Sequence, residues 1–124
     1  VQQPKTIIVF EDDHDTLEVV KLILENEGIK VLSSAAKSSL QTVIDHQPHL
    51  VLLDHRLTDG MSDNFCLELK KHPQTAHIPV IIFSADNNVA RIAHACNAED
   101  FIAKPFDIDF LVNRIKIHLA VVKV

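Results

Sequence analysis

The chain has little glycine. Gly28 and Gly60 are the only two in 124 residues, and they stand apart. That spacing leaves no G-x-G-x-x-G and no P-loop, which argues against a phosphate cradle of glycine-rich backbone and against the nucleotide binding that goes with it. Tryptophan and tyrosine are absent, so phenylalanine supplies every aromatic ring and nothing is offered to stack a flavin or a base. The two cysteines, Cys66 and Cys96, fall inside apolar helical patterns and read as small buried hydrophobes of a reduced, cytosolic protein rather than as a disulfide frame. The histidines are scattered. His46 and His49 straddle Pro48 and do not share a helical face, and no Cys/His cluster has zinc spacing. Basic residues number 12 against 17 acidic ones, a net charge of −5 with no basic block. Such a field is a poor match for nucleic acid or an anionic membrane. No apolar run approaches the ~20 residues of a membrane span. The start, Val1-Gln2-Gln3-Pro4-Lys5, has no secretory pattern and reads as a domain edge.

What is present fits one soluble domain over residues 1–124, with a core spanning about 6–119. Short apolar runs recur at Thr6–Phe10, Ile29–Leu32, Leu50–Leu53, Val80–Phe83 and Phe101–Ala103. Continuous runs rich in Val and Ile suit strands buried on both faces of a parallel sheet. Segments of helical period lie between them. Asp15–Glu27 sets Leu17, Val20 and Leu24 on one stripe with Val19 and Ile23, and Gly28 follows as a left-handed stop. Ala36–His46 carries Leu40, Val43 and Ile44 and is halted by Pro48. Asp63–His72 carries Phe65, Cys66 and Leu69 ahead of Pro73. Asn88–Cys96 carries Val89, Ile92 and Ala93, with Asn97 in the cap position. Asp107–Val122 carries Phe110, Leu111, Ile115 and Leu119, with Asp107 as N-cap. Strand and helix alternate throughout, which predicts an α/β fold with a single doubly wound, open parallel sheet of five strands.

Ligands of such a sheet bind beyond the carboxyl ends of the strands. Glu11, Asp12 and Asp13 follow the first run, Ser33 and Ser34 the second, Asp54 the third, Ser84 the fourth, and Lys104 and Pro105 the fifth. Asp13, Asp15 and Asp59, taken singly, read as solvated loop charges. The set Glu11, Asp12, Asp54, Ser84 and Lys104 does not, because Asp54 interrupts a buried apolar strand at its exit. Converging carboxylates repel one another unless a cation holds them. Hard oxygen ligands in small number suit Mg²⁺. A lysine and a hydroxyl beside them can hold phosphoryl oxygens. A carboxylate can itself be the nucleophile and form an acyl phosphate.

With these residues in view, the chain resembles the receiver domain of bacterial two-component response regulators, from Thr6 to about Leu119. The segments that carry the likeness are IIVFEDD, HLVLLDHRL, VIIFSA and DFIAKPF, in this order. The resemblance implies a flavodoxin-like (βα)5 fold with strand order 2-1-3-4-5, so that the first and third strands are neighbours. It implies that Asp54 accepts the phosphoryl group. It implies that Glu11 and Asp12 hold Mg²⁺ with Asp54 and the backbone carbonyl of Arg56, that Ser84 moves to bond one phosphoryl oxygen, and that Lys104 pairs with another. Phe101 falls at the aromatic switch position, although a Phe in a short edge strand also reads as core. The Lys104–Pro105 bond is expected to be cis, which X–Pro tolerates at small cost. The implied partners are a sensor histidine kinase or histidine phosphotransfer protein, a downstream protein, and a second copy in a homodimer. The implied location is the cytoplasm.

The chain departs from the family's pattern at Thr58, where Pro is usual, at Asp63 or Asn64, where Gly is frequent, and at Asn97, which replaces a Gly. The loop after the third strand is therefore expected to have its own shape. Arg56 and Asp86 flank the expected phosphoryl position with opposite charge. They are expected to pair across its mouth, restrict water and slow the loss of phosphate. Two rival readings use the same residues. A pseudo-receiver would only bind partners, but it would be expected to lack a carboxylate or the lysine. A Mg²⁺-dependent phosphohydrolase would need a second acid two residues after the nucleophile, where Arg56 stands.

Overall fold

The computed structural model describes residues 4–34, 40–57 and 60–120. Elements follow in the order β1 (Thr6–Phe10), α1 (His14–Asn26), β2 (Lys30–Ser34), α2 (Leu40–His46), β3 (Leu50–Asp54), β4 (Arg56–Leu57), β5 (Gly60–Met61), α3 (Asp63–Lys71), β6 (Val80–Ser84), α4 (Val89–Ala95), β7 (Asp100–Ala103) and α5 (Ile108–Ala120). Five strands make one parallel sheet in the order β2-β1-β3-β6-β7. Counting those strands alone gives the expected order 2-1-3-4-5. β4 and β5 form a separate antiparallel ribbon that the sequence reading does not contain.

Alternation across the strands divides the core in two. In β1, Ile8 and Phe10 point to one face of the sheet and Ile7 and Val9 to the other, all of them buried. The first face is covered by Val43 of α2, Phe65 and Leu69 of α3, and Val89 and Ala93 of α4. The second is covered by Leu17, Val20 and Leu24 of α1 and by Leu111 and Ile115 of α5. Phe10 and Phe65 meet edge to face, with centroids 5.2 Å apart, and this joins α3 to the sheet next to the end of β1. Burial on both faces is why β1, β3 and β6 read as unbroken apolar runs.

The helix ends follow local chemistry. Asp13 is an N-cap rather than a solvated loop charge, since its Oδ2 accepts the Thr16 N–H at 3.1 Å and α1 begins at His14. Gly28, at φ +79°, lets Ile29 N–H reach Leu24 O and Gly28 N–H reach Glu25 O, so α1 closes in a Schellman turn. Asn97, at φ +65°, closes α4 in the same way through Ala98 N–H to Ala93 O. Asp107 Oδ1 accepts the Asp109 N–H at 3.3 Å, the capping role expected of it. α3 stops at Lys71, because His72 precedes Pro73 and is extended at ψ 132°. β2 starts at Lys30 and runs on through Ser33 and Ser34, which pair with Val9 and Phe10. At an edge strand the ladder, not side-chain polarity, decides the length. The expected helix starts at Ala36 and ends at Val122 lie outside the described residues, as do Thr58 and Asp59.

Cys66 and Cys96 are buried free thiols, with Cys66 Sγ donating to the Cys96 carbonyl at 3.3 Å. His46 and His49 are tied to backbone, His46 Nδ1 at 2.8 Å from Thr42 O and His49 Nδ1 accepting the Thr6 N–H at 2.9 Å. Lys70 of α3 has all three ammonium protons matched, by Ala76 O, Ile78 O and Glu99 Oε2 at 2.9, 2.8 and 2.7 Å.

Candidate functional site

Because every strand of the main sheet is parallel, their carboxyl ends share one edge. Register does the rest. β1 and β3 are adjacent with Phe10 opposite Leu53, so the next residues, Glu11 and Asp54, emerge side by side. β3 and β6 are adjacent with Asp54 opposite Phe83, and β6 pairs Ser84 with Ala103, just before Lys104. Carboxylate oxygens of Glu11, Asp12 and Asp54 all lie within 4.8 Å of one another. Lys104 Nζ is 2.9 Å from Glu11 Oε1 and 3.4 Å from Asp54 Oδ2, and it sits over the Phe83 ring at 4.4 Å from the centroid. The Lys104–Pro105 bond is cis. A cleft of about 450 Å³ opens here, lined by Asp54, His55, Arg56, Ser84, Ala85, Asp86 and Lys104. The five residues singled out from the strand ends thus converge on one edge.

Glu11 is fully buried, Asp54 nearly so, and Asp12 is exposed. Burial raises the Glu11 carboxyl to about 7; the hydrogen bond and charge of Asp54 push the same way, and Lys104 only partly opposes them. Three carboxylates gather here beside one ammonium, and their donors are hard oxygens. A divalent cation with an oxygen preference fits that set. Ser84 Oγ accepts the Asp86 N–H at 3.0 Å, which leaves its own proton free for an acceptor in the cleft.

Two expectations need correction. Arg56 and Asp86 line the same cleft, but no ion pair joins them. The Asp86 carboxylate turns to its own loop instead and accepts the Asn88 N–H at 2.8 Å, a local bond that needs no long side chain to be ordered. Phe101 is not a core residue. It is 39% exposed, and its neighbour Ile102 takes the inward place that alternation allows on β7. Phe101, the residue expected at the switch position, is therefore an outward-facing ring.

The structure also adds residues that pattern reading missed. Ser62 is buried and its hydroxyl donates to the Asp54 carbonyl at 2.5 Å. His55, beside Asp54, is buried, with Nε2 2.6 Å from Asp63 Oδ1. A polar residue one step past the end of a buried apolar strand was the available signal for His55. Ser62 had none, because a serine ahead of a helix reads as an N-cap.

Residues 7–116 match the response regulator receiver domain family. The chain belongs to that family. A rice two-component response regulator, ORR8 of Oryza sativa subsp. indica, is 32% identical over 108 residues, covering 82% of this chain and 88% of the relative. Among solved structures, a response regulator from Chloroflexus aurantiacus J-10-fl superposes with a TM-score of 0.89 at 27% identity, over 96% of this receiver and all of that chain (100%). The receiver domain of the sensor histidine kinase PA1611 from Pseudomonas aeruginosa PAO1 shares the fold, with a TM-score of 0.84 at 20% identity over 96% of this chain and 100% of its own. That structure holds a magnesium ion in its active-site cleft. Receiver domains are signalling domains of two-component systems.

Proposed function

We propose that this receiver takes a phosphoryl group onto Asp54 from a phosphohistidine of a sensor histidine kinase or histidine phosphotransfer protein, in a reaction that requires Mg²⁺. The observation that carries the reading is Lys104, whose ammonium lies between Glu11 and Asp54 at the rim of an open cleft. Glu11, Asp12 and Asp54, with the carbonyl of Arg56, would hold the ion. Bound there, it would offset both the carboxylate repulsion and the charge of the incoming phosphoryl oxygens.

The remaining work falls to side chains of this chain. An Asp54 carboxylate oxygen attacks phosphorus. The O–P bond forms as the N–P bond of the phosphohistidine breaks, and the departing electron pair returns to the imidazole nitrogen. Lys104 neutralises one phosphoryl oxygen and the Ser84 hydroxyl donates to another. Each new charge draws its partner inward, which shifts the populations of the surface around α4, β7 and α5, where Phe101 is exposed. The output is a changed contact with a downstream protein, the domain is not a turnover enzyme, and it works in the cytoplasm.

The test is intact-mass analysis after incubation with acetyl phosphate and Mg²⁺. One phosphoryl group is expected on the wild type and none on Asp54→Asn or on wild type with the metal chelated. An unlabelled wild type would instead favour a module that only binds partners.

A further inference from the structure

The segment that leaves Asp54 is closed on itself at its base. Ser62 Oγ donates to the Asp54 carbonyl and Ser62 N–H to the His55 carbonyl, at 2.5 and 2.8 Å. His55 N–H donates to the Phe83 carbonyl of β6 at 3.2 Å. To these ties the imidazole adds one that depends on its own chemistry, the 2.6 Å contact of Nε2 with Asp63 Oδ1. Asp63 is the first residue of α3, where free N–H groups favour a carboxylate, and α3 is fixed in the core by Phe65, Cys66 and Leu69. The buried ring therefore fastens the residue after Asp54 to a rigid helix.

What lies between these anchors is the ribbon of β4 and β5. Leu57 is buried, while Arg56, Gly60 and Met61 are exposed. Two paired residues on each side do not sustain themselves in water. The place of the ribbon is set from its base. Yet Arg56 donates its backbone N–H directly to Asp54 Oδ1, at 3.3 Å. That bond is already long, so a small displacement of the ribbon breaks it.

We propose that His55 and Asp63 form a positioning pair that holds the Arg56 backbone over the Asp54 carboxylate and thereby sets the Mg²⁺ requirement of the site. The magnesium part rests on the phosphoacceptor reading, and the backbone part rests on the geometry alone. Neither side chain touches the reacting atoms. Partners one step removed from a metal or a nucleophile commonly change affinity or rate by about 10-fold or more when lost.

The experiment compares wild type, His55→Phe, Asp63→Ala, the double variant and His55→Gln, which keeps an N–H donor. One readout is the Mg²⁺ concentration that half-saturates acetyl-phosphate labelling of Asp54, together with the rate at saturating Mg²⁺. The other is amide hydrogen exchange at Arg56 without metal. Both single variants are expected to need about 10-fold more Mg²⁺, to keep the saturated rate and to exchange Arg56 faster. The double variant is expected to be no worse than either single, and His55→Gln to recover both readouts. Wild-type Mg²⁺ dependence and wild-type Arg56 exchange in the folded single variants would overturn the proposal, as would losses that add in the double variant. If the wild type is not labelled at any Mg²⁺ concentration, the phosphoacceptor reading fails. Arg56 exchange then still decides whether the pair positions the ribbon.

Discussion

Asp100 stands at the start of β7 with its carboxylate almost wholly enclosed. Burial alone would raise its pKa. The hydrogen bonds from His118 at 2.9 Å and from the Phe101 N–H at 2.8 Å, with Arg114 on the same oxygen as His118, outweigh that and hold the carboxyl below its ordinary 3.8. A depressed folded pKa stabilises the fold at pH above the unfolded value, and the contribution disappears as pH falls through the folded one. The wild type is therefore expected to lose stability below about pH 4 in part through this residue. Asp100→Asn should lower the unfolding free energy at pH 7 by about 2 kcal/mol for the charge-assisted bonds lost, and show a flatter acid limb. Urea titrations between neutral and acid pH check both. An unchanged acid limb in the variant would show that Asp100 has no such part.

Among the elements, α3 and the segment that leads to β6 depend on a buried cation. Lys70 binds two loop carbonyls and Glu99, while the other oxygen of Glu99 accepts the Val80 N–H at 2.8 Å. Removing its centre takes the ammonium from one Glu99 oxygen and from the Ala76 and Ile78 carbonyls. Lys70→Met is expected to cost about 3 kcal/mol. Glu99→Gln should cost less, because its carbonyl oxygen can keep the Val80 bond. Equal midpoints for the two variants in urea would contradict this ordering. The ties at His55 and Ser62 act over a shorter span, but the principle is the same: an element too short to hold itself takes its position from side chains that bond backbone.

For the molecule as a whole, the acidic edge implies that the fold and the metal are linked. Glu11, Asp12 and Asp54 are gathered only in the folded chain, so an ion bound there stabilises it by mass action. At ten times the dissociation constant, Mg²⁺ is expected to add about 1.4 kcal/mol. Thermal or urea unfolding with and without Mg²⁺ reads this directly. Asp12→Asn, an exposed substitution that leaves the core intact, should reduce the increment sharply. An equal increment in that variant would place the ion elsewhere.

Much of this was legible in order of residues. Unbroken Val and Ile runs suit strands covered on both sides, and Asp54, Ser84 and Lys104 at the ends of three of them point to one edge before any coordinates exist. Gly28 and Asn97 announce their helix ends because few residues tolerate positive φ. The rest depends on residues brought from a distance, or on choices between equivalent local partners. Asp13 could have stayed in solvent or capped α1, and Asp86 could have reached Arg56 or its own loop. Phe101 and Ile102 are both apolar, and only the pleat of β7 against β6 assigns one to the core and the other to the surface. The pairing of His55 with Asp63, and of Ser62 with the Asp54 carbonyl, carries no periodic signal. Periodicity reports which face a residue is on, whereas a hydrogen bond between two particular groups exists only once the packed backbone has brought them within about 3 Å.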